Sequence, residues 1–108
     1  MEISGQGGWD DQLNFPESLE DEIVRAFENV DRTLQAAGAS WRDVVHVNSY
    51  HVVSDPEAFD AHNSVMIEQM RTWMPDHAPI WTETGVTTLA APGMRIEIRV
   101  TAIDQRHM

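Results

Sequence analysis

The chain has 108 residues, no cysteine, and eighteen acidic against seven basic side chains, for a formal charge of −11 at pH 7. That length fits one domain, residues 1–108, whose small core would gain from further burial by self-association. The charge repels a nucleic-acid backbone with no basic patch to offset it, the lack of cysteine removes disulfides, thiolate metal sites and thiol nucleophiles, and no apolar run approaches the roughly eighteen residues of a membrane span. A soluble cytoplasmic protein acting on a small molecule is expected, with the acidic clusters at Asp10-Asp11 and Glu17 to Glu22 as solvated surface.

The opening residues Met1 to Gly5 read as a strand. From Ser18 to Ala37 the apolar positions Leu19, Ile23, Phe27, Val30, Leu34 and Ala37 recur at three and four residues, the period of an amphipathic helix. Ser18 with Asp21 three places on forms an N-terminal cap, and Gly38 stands at the left-handed position after the helix. Ala39 to Asp43 reads as a loop, and the β-branched run Val44 to Val53 as a strand. Asp55-Pro56 starts a second helix, with Asp55 as cap and Pro56 at the first helical position, and Phe59, Asn63, Met66, Met70 and Trp73 carry its period until Pro75. The methionines of this run are core filler.

Ile80 to Thr88 alternates, which places Trp81 and Glu83 on one strand face and Ile80, Thr82 and Thr84 on the other. Ala91-Pro92-Gly93 turns the chain into a closing strand, Met94 to Ile103. There Met94, Ile96, Ile98, Val100 and Ala102 share an apolar face, while Arg95, Glu97, Arg99 and Thr101 share a charged one. The order strand, helix, strand, helix, strand, strand predicts a two-layer α+β domain with both helices on one face of a mixed sheet. The other face, with Glu97, meets solvent or other subunits.

No metal constellation emerges among His46, His51, His62, His77 and His107. His46 and His51 point to opposite faces of their strand, and His62 has no partner one helical turn on. No serine sits in a Gly-x-Ser-x-Gly elbow, and Gly5-Gln6-Gly7-Gly8 lacks the lysine and helix of a phosphate loop. Ser4-Gly5-Gln6 reads as a close approach of backbone to a cleft, where its amides can donate to a ligand oxygen.

Four segments together resemble the Rid family, the reactive intermediate deaminases also called the YjgF or endoribonuclease L-PSP family. They are Ile3-Ser4-Gly5-Gln6-Gly7-Gly8-Trp9, Ala37 to Val45, Gly85-Val86, and Pro92-Gly93-Met94-Arg95-Ile96-Glu97-Ile98. The resemblance implies a chorismate-mutase-like fold, a homotrimer with clefts between subunits, and cofactor-free hydrolysis of enamines or imines to an oxo acid and ammonia. It also implies that the last-strand glutamate, here Glu97, positions the attacking water, while an arginine on the preceding strand holds the substrate carboxylate.

The arginine's position falls on Trp81, which cannot bind a carboxylate ionically. The leading extended segment usual in the family, with its site-facing aromatic residue, is expected to be missing. The resulting expectation is an intersubunit cleft in which Glu97 and Glu83 share proton transfer or water activation on an atypical or larger substrate stacked on Trp81, with Gly5, Arg95 and Arg99 binding it. Arg71, Arg95 or Arg99 can replace the missing anchor. The alternatives are a non-catalytic ligand-binding or chaperone-like trimer, and a structural reading in which Trp81 fills a subunit interface and Glu83 pairs with Arg95 or Arg99. The acidic charge argues against a ribonuclease.

Overall fold

Helix α1 (Leu19–Ala36) forms where the apolar period and both end signals agree. The Ser18 hydroxyl accepts from the Asp21 amide at 3.0 Å, and Gly38 takes the positive φ of 79° that ends the helix. Its inner stripe, Ile23, Ala26, Phe27, Val30 and Leu34, is fully buried, each larger side chain contributing about 1.5–3 kcal/mol. Helix α2 (Pro56–Trp73) starts at Asp55, whose carboxylate accepts from the Ala58 amide at 2.8 Å, with Pro56 in the first turn. These observations come from a computed structural model, which describes residues 1–103.

The strands are β1 (Glu2–Gln6), β2 (Val44–Val52), β3 (Ile80–Val86) and β4 (Ile96–Ala102). They form one sheet in the order β1-β4-β2-β3. β4 runs antiparallel to both β1 and β2, and β3 runs parallel to β2, so the sheet is mixed and α2 is the crossover that parallel neighbours require. The two-layer α+β arrangement is as expected. Ile80 to Val86 is shorter than the expected strand, and the segment expected as a loop before β2 contains a 3-10 turn, Trp41–Asp43.

One sheet face is covered by the helices. Val44 and Val47 of β2 and Ile96, Ile98, Val100 and Ala102 of β4 lie in the core with the inner stripe of α1 and Met66 of α2. Register partners point the same way. Val47 pairs with Val100 and Trp81, and Ser49 with Ile98 and Glu83, so these residues face the helices; Tyr50 pairs with Glu97 and Thr84 on the open face.

Candidate functional site

On the open face, Glu97 stands half-buried between neighbours from three strands. Tyr50 flanks it in register, Thr84 lies beyond Tyr50, and Gly5 closes the other side. A register shift between Ile3 and Gln6 carries β1 against Glu97. A Cβ on Gly5 would fall 2.8 Å from Glu97 Cδ and Oε2. The expected close approach at Ser4-Gly5-Gln6 is therefore made, and the glutamate is what it approaches. Arg99 shares this face, next to Asn48 in register, and its guanidinium lies 3.5 Å from Glu2 in a largely exposed pair of the kind that stabilises little.

Trp81 and Glu83 lie on the other side of the sheet. The Trp81 indole donates to Ser49 Oγ at 2.9 Å, and Ser49 Oγ lies 2.7 Å from His51 Nε2. The Glu83 carboxylate contacts the same nitrogen at 3.4 Å, with 16% of its side chain exposed. From α2, the Asn63 amide donates to Glu83 Oε1 at 2.7 Å and also to Oε2 when its nitrogen is turned toward the carboxylate. Behind them, His51 Nδ1 meets His62 Nδ1 at 2.8 Å. Ser49, His51 and His62 are all buried.

Burial sets the charge states here. Desolvation lowers the His51 pKa from 6.5 to about 4, with His62 adding to the effect. Desolvation also lowers His62, assisted by Arg95 and opposed by Glu22, and it raises Glu83 above the usual carboxylate range. Both imidazoles are thus neutral near pH 7. One Nδ1 must donate and the other accept, an arrangement that a doubly protonated ring cannot join.

Several expectations are corrected by these positions. Within one chain, Trp81 and Glu83 do not share a cleft with Glu97, because the parallel register of β3 on β2 turns them toward α2. Glu83 pairs with neither Arg95 nor Arg99. Arg95 precedes β4 and leaves its charged face: Nε donates to Glu22 Oε1 at 2.7 Å and the backbone amide to Oε2 at 2.8 Å, while Nη2 donates to the carbonyls of Pro16 and Glu17. These bonds tie Arg95 to α1 and to the segment before it, off the sheet face that carries Glu97. Glu22, expected as solvated surface, is fully buried by that pair.

His62, which has no partner one turn along its own helix, meets His51 from the neighbouring layer. The signal for it was in the sequence. His51 has the parity of Val47, and His62 lies three and four residues from Phe59 and Met66, so both occupy inner positions. Among the described residues no group of three or more histidines or carboxylates is placed to hold a metal ion; His107 lies outside them. No helix among them is long and apolar enough to cross a membrane.

Comparison with known proteins agrees with this architecture. The endoribonuclease L-PSP family model matches residues 1–104. The RutC family protein YjgH of Escherichia coli is 33% identical over 100 residues, which cover 93% of this chain and 72% of that one. The fold superposes on the Rid-family protein YyfB of Yersinia pestis with a TM-score of 0.80 at 28% identity, covering 94% of this chain and 76% of that one. RidA from an Antarctic Psychrobacter gives a TM-score of 0.76 at 28% identity, covering 92% and 76%. The chain belongs to the Rid family, whose members are also described as YjgF or endoribonuclease L-PSP proteins.

Proposed function

We propose that this protein is a cofactor-free imine or enamine hydrolase of the Rid type, working as a homotrimer in which Glu97 directs water in a cleft between subunits. The observation that carries this reading is the seat of Glu97: a carboxylate packed against a glycine backbone on the sheet face that the helices leave uncovered. A carboxylate fixed in this way orients a water molecule toward an electrophilic carbon and takes its proton. The proton passes to nitrogen as the carbinolamine collapses, and ammonia leaves.

Glu83 and Glu97 of one chain face opposite ways, so a cleft holding both takes them from two chains. Exposed Ile80 and Val45 on a domain this small favour such burial by self-association. Turnover of a panel of imino acids by Glu97→Gln and Glu83→Gln tests the assignment, and unchanged rates in both would sink it. Mixing the two variants tests the shared cleft, since random reassembly restores about one intact cleft in four.

Trp81 at the arginine's position favours a second reading, a ligand-binding or chaperone-like trimer without catalysis. Wild-type protein that binds imine analogues but turns over no member of the panel would establish it.

A further inference from the structure

We propose that the patch formed by Trp81 and Glu83 selects cationic ligands, so that the substrates are iminium ions with an apolar body and no carboxylate beside the C=N bond. The proposal rests on the reading that Trp81 and Glu83 line the substrate cleft.

The charges that face this patch decide the ligand's sign. From β3 comes the Glu83 carboxylate; from β2 come Ser49 and His51; from α2 come His62 and Asn63, whose amide donates to Glu83. Glu83 is thus the single formal charge that the surrounding elements present there near neutral pH among the described residues. None of the described arginines pairs with Glu83, and Arg71 is the one that shares a trough with Trp81. Arg95 is spent on Glu22 and two carbonyls, Arg99 lies on the opposite sheet face beside Glu2, and Arg71 is two helical turns, about 12 Å, beyond Asn63 on α2.

Desolvation raises the pKa of Glu83, so its ionised form gains more from a cation than an exposed carboxylate would. The net charge of −11 acts in the same direction at long range.

Trp81 supplies the remaining elements of the site. Its indole is fixed by the bond to Ser49, and a fixed indole face attracts cations through its quadrupole. The same ring lines a trough of about 250 Å³ with Ile67, Met70, Met74 and Pro79, and Arg71 and His77 line it too. The trough takes an apolar body, and the cationic head is left at Glu83.

The chemistry balances without a co-reactant. Water adds to the iminium carbon as a carboxylate takes one of its protons; that proton returns to nitrogen, the C–N bond breaks, and a carbonyl compound and an ammonium ion leave. Amine oxidation is the class of reaction that supplies such iminium ions.

Calorimetric titration with two probes of like shape, benzylammonium and phenylacetate, tests the selectivity directly. Benzylammonium is expected to bind at least about tenfold tighter. Glu83→Gln should abolish that preference, and Trp81→Leu should weaken the ammonium probe, with circular dichroism confirming that each variant is folded. Equal or tighter phenylacetate binding, or phenylacetate binding lost in Arg71→Ala, would overturn the proposal.

Turnover separates this idea from the hydrolase reading. A Glu83-dependent ammonium preference with neither benzaldimine nor 2-iminopropionate hydrolysed upholds the ligand class and removes the catalysis. Hydrolysis of 2-iminopropionate in preference to benzaldimine does the reverse.

Discussion

Glu97 occupies the volume that a side chain on Gly5 would need, with Cδ and Oε2 both 2.8 Å from the site of that Cβ. The neighbour here is the far end of a flexible side chain, so Gly5→Ala is expected to displace the carboxylate and leave the fold intact. Misplacing a catalytic group by about 1 Å can cost roughly a hundredfold in rate. Imine hydrolysis should therefore fall by about that factor, with the thermal midpoint nearly unchanged. Gly8→Ala is the contrasting case, because its Cβ would run into the backbone carbonyl of Glu22, which cannot swing away. It should destabilise by about 1–3 kcal/mol or more in urea unfolding. Equal effects of the two variants on stability would contradict this division.

Arg95→Met should destabilise strongly, because it leaves the fully buried Glu22 carboxylate with no guanidinium to meet it. Removing one partner of a buried pair costs about 3–5 kcal/mol, whereas replacing both by apolar groups of similar volume is often close to neutral. The double variant Glu22→Leu with Arg95→Met is thus expected to recover much of the loss. Recovered stability with unaltered turnover would identify the pair as purely structural; altered turnover in the recovered variant would return Arg95 to the list of substrate contacts.

Both helices and the inward face of β4 were legible in the sequence because strong signals coincide there. The period of α1 sits between a serine cap and a glycine at positive φ, and β4 alternates fully buried with partly exposed residues. The facing of Trp81 and Glu83 was not legible. Alternation shows which residues of β3 share a face, but β3 is an edge strand without a fully buried side, so only its register with Val47 and Ser49 shows which face is inward. Arg95 misled for a related reason: its parity matches Glu97, yet it lies one residue before β4 begins, where strand alternation no longer directs the side chain. The His51–His62 contact joins a strand to a helix: the pattern within each element marks its histidine as inward, but only the packing of α2 on the sheet brings the two rings together.

Trp41 stacks on Phe27 with centroids 5.4 Å apart, yet its buried Nε1 has no hydrogen-bond partner among the described residues. Trp41→Phe sets two effects against each other. It loses ring volume and leaves a small cavity, and it relieves an unsatisfied donor that costs about 1–3 kcal/mol. The expected net change is within about 1 kcal/mol, against about 3–5 kcal/mol for Trp41→Ala. Similar large losses in both variants would show that the indole N–H is satisfied.

The buried imidazole pair makes the fold sensitive to acid. The folded-state pKa of His51, about 4, lies below its ordinary value of 6.5, so the unfolded chain binds the proton more readily. The stability is fully present above pH 6.5 and is lost as the pH falls toward 4, by about 3 kcal/mol in all and about 2 kcal/mol by pH 5. His62, also lowered, acts in the same direction. Glu83 has the opposite sign: its raised pKa means that the native state holds the proton more readily, so acidification through that window restores part of the loss. Urea unfolding of the wild type at pH 7 and pH 5 should show the decline, and the His51→Leu, His62→Leu double variant should flatten it whatever its absolute stability, because the proton linkage disappears with the imidazoles. A wild type equally stable at both values, or a double variant with an undiminished slope, would rule out the pair as its source.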